Sequence, residues 1–156
     1  MNELGMEHYM EFSPQKMAEG SNEADGESKK QGFTFSATPT LEDIRESMCR
    51  FRDERNWGQY HTPRNVLLAL VGEVGELAEL FQWRGEVKEG LVDFSARDKE
   101  RVGEEMSDIL IYLVMLADRC RIDLPKAITE KMNLNALKYP RDKVKGDSRK
   151  YNEYPS

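Results

Sequence analysis

From about residue 40 onward, apolar residues recur along this chain with helical spacing. No segment alternates apolar and polar positions between hairpin turns. Four helices follow from that pattern. The first opens at Pro39-Thr40, with Asp43 three residues on as a variant of the capping box. It carries Leu41, Ile44, Met48, Phe51 and Arg55 along one side and ends near Asn56-Trp57-Gly58. The second takes Thr62 as its N-cap and Pro63 as its first residue, and reaches about Trp83. The third starts at Ser95-Ala96-Arg97-Asp98 and runs to about Arg121. The fourth begins at Asp123-Leu124-Pro125 and stops before Pro140, because the residue preceding a proline disfavours the αR conformation. Residues 84–95 form a loop with two glycines, short enough to make the second and third helices antiparallel neighbours.

Both of those helices are apolar around much of their circumference. The outside of a monomeric bundle requires a narrower stripe. A second buried face follows, and with it a homo-oligomer built from helix pairs.

The ends of the chain read differently. Residues 1–36 show no periodicity and are rich in Glu, Ser, Gly, Asn and Lys, which predicts a disordered acidic tail. Residues 37–140 form the helical domain. Residues 141–156 are a polar C-terminal tail with Lys145-Gly146-Asp147 as a turn and no further assignment. The split explains why the hydrophobic share is only 38% and the mean hydropathy −0.74. Of the formal net charge of −6, the first 40 residues carry −4, from seven acids and three lysines. The body is therefore nearly neutral, without the basic footprint of a nucleic-acid-binding domain.

Cys49 and Cys120 lie in apolar helical patterns without metal or redox spacing, and read as small core residues in a reducing compartment. No apolar run approaches the ~20 residues that cross a membrane, and no basic, then apolar, N-terminal signal is present. These features predict a soluble cytoplasmic protein with no membrane partner; the nucleus and the mitochondrion stay open.

Two acidic pairs interrupt the apolar helices. Glu73 and Glu76 lie in the second, within Val66-Leu67-Leu68-Ala69-Leu70-Val71 and Leu77-Ala78-Glu79-Leu80-Phe81. Glu105 and Asp108 lie in the third, before Ile109-Leu110-Ile111-Tyr112-Leu113-Val114. Each pair is spaced i, i+3, so its carboxylates share a helix face. Most Glu-x-x-Glu pairs are solvated surface acids. Two such pairs on neighbouring apolar helices instead face one another, and their mutual repulsion calls for a hard divalent cation with oxygen ligands. Glu79 and Glu104 are further candidates at helical spacing from the same pairs.

The run Leu67-Leu68-Ala69-Leu70-Val71-Gly72-Glu73-Val74-Gly75-Glu76-Leu77-Ala78-Glu79-Leu80-Phe81-Gln82-Trp83, followed by Glu104-Glu105-Met106-Ser107-Asp108-Ile109-Leu110-Ile111-Tyr112-Leu113, resembles the MazG-like all-α nucleoside triphosphate pyrophosphohydrolases. The resemblance covers roughly residues 33–140 and is greatest for the dCTP-hydrolysing branch. It implies a four-helix MazG-like bundle that assembles as a homotetramer. It also implies Mg²⁺-dependent hydrolysis of dCTP and its 5-substituted analogues to the monophosphate and pyrophosphate, a sanitation of the nucleotide pool. A broader pyrimidine nucleotide hydrolase is the alternative, and a non-catalytic oligomerisation module a more distant one. By the same resemblance Glu73, Glu76, Glu105 and Asp108 match the Mg²⁺ ligands, while the carboxylate that serves as general base stays open. Trp57 and His61 of Trp57-Gly58-Gln59-Tyr60-His61 match the substrate loop, so the whole segment, Gly58, Gln59 and Tyr60 included, is expected to line the nucleotide. Trp83 then provides a second indole for a base sandwich, and Tyr112 sits one turn beyond Asp108, within reach of phosphate. Lys131 and Asn135, an i, i+4 pair, correspond to phosphate contacts that complete a neighbouring subunit's site. The chain departs from the pattern where a histidine nine residues before the first tryptophan is replaced by Met48, which cannot hydrogen-bond a base in its stead, and again at Gly58 and Gln59, which alter the loop's flexibility.

Overall fold

The computed structural model describes residues 33–146. The expected acidic tail therefore lies outside the described residues except for 33–36, and so does the C-terminal tail beyond Gly146. The chain divides into two units, Met1–Phe35 and Ser36–Ser156. Of the first, only Phe33–Phe35 are described, with the two phenyl rings edge to face at 5.4 Å.

The second unit is all-α among its described residues. Its helices are α1 (Leu41–Glu54), α2 (Pro63–Phe81), α3 (Ala96–Cys120) and α4 (Leu124–Lys138), followed by a single turn, α5 (Arg141–Val144), in the segment the sequence left unassigned. Two 3₁₀ turns, Trp57–Gln59 and Glu89–Leu91, occupy the connections. The predicted starts are all present as caps. Thr40 and Ser95 close reciprocal capping boxes with Asp43 and Asp98. Thr62 and Asp123 each accept from the backbone N–H three residues on. Hydrogen bonds within the boxes pull both carboxyls, Asp43 and Asp98, below the ordinary aspartate value. Each helix ends slightly short of the expected position: α1 at Glu54, before Asn56-Trp57-Gly58, α2 at Phe81 rather than Trp83, α3 at Cys120 rather than Arg121, and α4 at Lys138, before Pro140. The first connection begins with Asn56 in the left-handed region (φ 52°), which asparagine tolerates better than most residues. That single residue turns the chain out of α1 and into the Trp57–Gln59 turn.

α2 and α3 pack along one another as a hairpin, and α3 also carries α1. α4 has no comparable partner among the described residues. At the loop end of the hairpin, Phe94 is buried and stands 5.4 Å from the ring of Phe81. Arg84 covers the same Phe94 ring at 4.4 Å and pairs with the α3 cap residue Asp98 at 3.0 Å. The loop is thereby tied to both helices, and the level at which residues of α2 and α3 face each other is set.

The buried apolar core is small: Val66, Phe94, Val102, Val114, Met115 and Ala117. Large apolar residues on the hairpin are left open instead, Leu67, Leu68, Val71 and Val74 on α2, and Met106, Leu110 and Leu113 on α3. Ile128, Met132, Leu134 and Leu137 of α4 are exposed as well. A chain of this size buries far more of its apolar residues when it folds as a monomer. The wide apolar circumference read from the sequence is thus visible as exposed surface.

Candidate metal and nucleotide site

The hairpin register places the two acidic pairs opposite one another. Glu73, Glu76 and Glu105 each bring a carboxylate oxygen to within 4.8 Å of the others. Asp108 falls outside that trio, but its charge reaches Glu73. Burial lifts the Glu73 carboxyl above the ordinary glutamate value, and the carboxylates of Asp108, Glu76 and Glu105 lift it further. No lysine or arginine forms an ion pair with any of these four among the described residues. Of the two further acids, Glu104 turns toward Arg97, 3.7 Å away, and Glu79 is exposed outside the trio.

Tyr112 belongs to the same face. Its phenol is pushed up first by burial and then by Glu73 and Asp108, so the ring stands beside the acids as the one-turn spacing predicts. The donor set is carboxylate throughout and negative in excess, which suits a hard divalent cation and no soft one.

The aromatic residues sit on the α1–α2 connection. Trp57 has Phe51 as an edge-on neighbour at 5.8 Å and His61 as a tilted neighbour at 5.9 Å. The backbone N–H groups of Tyr60 and His61 both donate to the Trp57 carbonyl, winding the segment into a compact turn. Asn65 braces it by donating its side-chain amide to the Tyr60 carbonyl at 2.9 Å. Gly58 is half-buried within the turn, and Gln59 and Tyr60 face solvent. Trp83 is 86% exposed just past α2, and its ring meets neither Trp57 nor any other described ring. Within one chain, then, the two indoles do not form a sandwich. Lys131 and Asn135 are exposed on α4, and no side-chain hydrogen bond or ion pair ties them to the acids. Met48 is half-buried on α1 and shares a small cavity with His61.

A charged centre that the sequence did not single out lies between α1 and α3. Asp118 accepts from Arg45 at 3.2 Å and from Arg52 at 3.5 Å, and both Asp118 and Arg52 are largely removed from solvent. Its only trace in the sequence is Asp118-Arg119 at the end of an apolar run, a pattern that any polar helix end produces.

With this geometry in place, the chain is seen to match known proteins. The model of the MazG-like family matches residues 69–154. Human dCTP pyrophosphatase 1 is 55% identical over 123 residues, covering 79% of this chain and 72% of that protein. The bovine dCTP pyrophosphatase 1 is 54% identical over 123 residues, covering 79% and 73%. Among solved structures, a pyrophosphatase from Archaeoglobus fulgidus superposes with a TM-score of 0.59 at 36% identity, covering 69% of this chain and 99% of the archaeal one. This chain belongs to the MazG-like family. No described helix is long and apolar enough to cross a membrane.

Proposed function

We propose that this hydrolase splits dCTP, and 5-substituted dCTP analogues, into the nucleoside monophosphate and pyrophosphate with the help of Mg²⁺. The observation that carries the reading is the convergence of Glu73, Glu76 and Glu105 within 4.8 Å, with no ion pair to a cationic side chain among the described residues. The human and bovine relatives that bear the name dCTP pyrophosphatase 1 share more than half of the aligned residues. The donor set fits the ion. All ligands are hard oxygens, and burial, followed by the neighbouring acids, raises the Glu73 carboxyl against a charge that a divalent cation compensates. Glu73, Glu76, Glu105 and Asp108 are the residues that hold it. When bound, Mg²⁺ neutralises phosphate charge and makes a coordinated water more acidic.

The remaining work falls to the protein's own groups. A carboxylate oxygen not engaged by metal orients the attacking water and takes its proton. Tyr112, beside Asp108, donates its phenolic hydrogen to a phosphate oxygen. Trp57 stacks on the pyrimidine, a contact of about 1–3 kcal/mol per base, while His61 and the backbone of Gly58, Gln59 and Tyr60 line the ring's edge.

The same reading includes a homo-oligomer, with a tetramer as its expected size. Leu68, Val71 and Met106 are each more than half exposed, a burden that association removes. Trp83, which stacks on no described ring, and Lys131 and Asn135, which make no ion pair or side-chain hydrogen bond to the acids among the described residues, then serve a neighbouring subunit's site. Two measurements test the proposal. Incubation with each of the four dNTPs and Mg²⁺ yields dCMP and pyrophosphate from dCTP fastest. Turnover spread evenly over the bases favours a broader pyrimidine hydrolase, which Met48 makes the alternative, and no turnover of any nucleotide by folded protein refutes the assignment. Sedimentation at micromolar concentration gives a mass near four times the 18.1 kDa chain; a monomer refutes the assembly.

A further inference from the structure

The last turns of α3 and the middle of α1 enclose a cavity of about 10 Å³ behind the Trp57–His61 segment. Its walls include Met48, Arg52, His61, Asp118 and Arg119. Two polar atoms on these walls are buried without a partner, His61 Nδ1 and Arg119 Nε. A buried ring nitrogen and a buried guanidinium N–H are rarely left unsatisfied in folded proteins. The cavity has room for about one water molecule, and such a water needs two to four polar partners. This one has three within the same walls.

Resting on the nucleotide-hydrolase reading above, we propose that Arg119 and Asp118 position His61 through a single buried water. The water holds the imidazole as the tautomer protonated on Nε2, so His61 presents the nucleotide with a hydrogen-bond donor. Arg119 Nε–H donates to the water, and the water donates to His61 Nδ1 and to the Asp118 carboxylate. Every hydrogen is then used. The opposite tautomer has Nδ1–H donating to the water as well, which leaves one water hydrogen without an acceptor.

Charge favours the same choice. Three guanidinium groups (Arg45, Arg52 and Arg119) and one carboxylate (Asp118) line the cavity, and Arg45 and Arg52 both donate to Asp118. Arg45 and Arg52 also pair with Glu42 and Asp53 outside the cavity; the guanidinium groups of Arg52 and Arg119 are the charges that reach His61, and they attract the imidazole lone pair and repel its N–H. Burial, and then the charges of Arg52 and Arg119, also hold the His61 pKa below its ordinary value, which keeps the ring neutral. Cys49, the other titratable group on these walls, stays near the Arg45 guanidinium, with Sγ 3.6 Å from Nη1.

The consequence concerns recognition. An Nε2–H donor reads acceptors on the nucleotide, such as O2 or N3 of cytosine or a sugar oxygen, and does not read the exocyclic amino group. Arg119 acts here as a positioning residue, not a catalytic one.

His8 and His61 are the only histidines in the chain, so a His8→Gln protein labelled with ¹⁵N-histidine shows one imidazole. Its long-range ¹H–¹⁵N spectrum at neutral pH, without nucleotide, is expected to show the Nε2–H tautomer, charging only below about pH 6.5. The Nδ1–H tautomer, or an imidazolium at neutral pH, overturns the proposal. Arg119→Met keeps the aliphatic stem and removes the donor. It is expected to mix the tautomers and to raise KM for dCTP about tenfold with kcat within about twofold, as the loss of one well-placed hydrogen bond does. Arg119→Lys is expected to recover part of both effects. A folded Arg119→Met protein with unchanged tautomer and KM overturns the proposal. Should that variant not fold, the spectrum of the His8→Gln protein still decides. An Nε2–H ring in a protein that hydrolyses no nucleotide separates failure of the functional reading from failure of this one.

Discussion

Helix α3 carries two half-buried acidic centres about three and a half turns apart, and they have opposite surroundings. At the Asp118 centre, α1 supplies Arg45 and Arg52, so the carboxylate is neutralised by its own chain. At the Glu105 centre, α2 supplies two more carboxylates, Glu73 and Glu76, and no described cation pairs with them. The first centre is a fastener that joins α1 to the hairpin. The second is a charge imbalance that the fold alone does not resolve. A structural acid and a ligand-holding acid thus differ little in sequence context and greatly in what faces them across the helix interface.

Removing single carboxylates separates the two centres most sharply. Glu76→Ala, or Asp108→Ala, is expected to lower dCTP hydrolysis by about a thousandfold or more while helical circular dichroism persists, since an incomplete metal site loses both charge neutralisation and the activated water. Retained turnover would break the distinction at once. Asp118→Asn should act in the reverse sense, with most of its effect on stability. It removes the anion that Arg45 and Arg52 share, leaving each only its exposed neighbour on α1, Glu42 or Asp53, and is expected to cost about 1–3 kcal/mol in urea unfolding. A variant as stable as the parent would place Asp118 among the dispensable surface ions. The smallest and most diagnostic effect belongs to Glu73→Gln. In protein stripped of divalent ions it relieves like-charge repulsion and should stabilise the fold by a few tenths to about 1 kcal/mol. The same change should abolish the additional stabilisation that Mg²⁺ confers on the unsubstituted chain. If Glu73→Gln destabilises the metal-free protein, the cluster is a satisfied surface feature and not an unpaired one.

Local structure was the most legible part of the chain. Thr40, Thr62, Ser95 and Asp123 each cap the helix predicted to start there, from a capping box at Thr40 and Ser95 and from a nearby proline at Thr62 and Asp123, because capping depends only on neighbours within one turn. Glu73, Glu76 and Glu105 were legible for a related reason: their spacing puts each pair on one face, and an apolar hairpin leaves few ways to arrange two such faces. Tyr112 followed by the same periodicity. Trp57 and Trp83 were not legible as a pair. Their separation depends on how the α1–α2 connection folds and on what covers Trp83, and neither is written in local spacing. The Asp118 centre escaped for want of any pattern, since Arg45 and Arg52 lie 73 and 66 residues away from it.

The sequence by itself determined what short-range forces decide: four capped helices, the apolar faces that remain exposed on a single chain, and two carboxylate pairs at helical spacing. Only the tertiary structure decided which charges meet. It set Glu105 against Glu73 and Glu76 through the Phe81–Phe94–Arg84 closure of the hairpin, set Asp118 against two arginines, and enclosed His61 Nδ1 beside Arg119. Electrostatic interaction depends on distance through space and on burial, both of which are products of packing, whereas caps and helix faces are products of the backbone period.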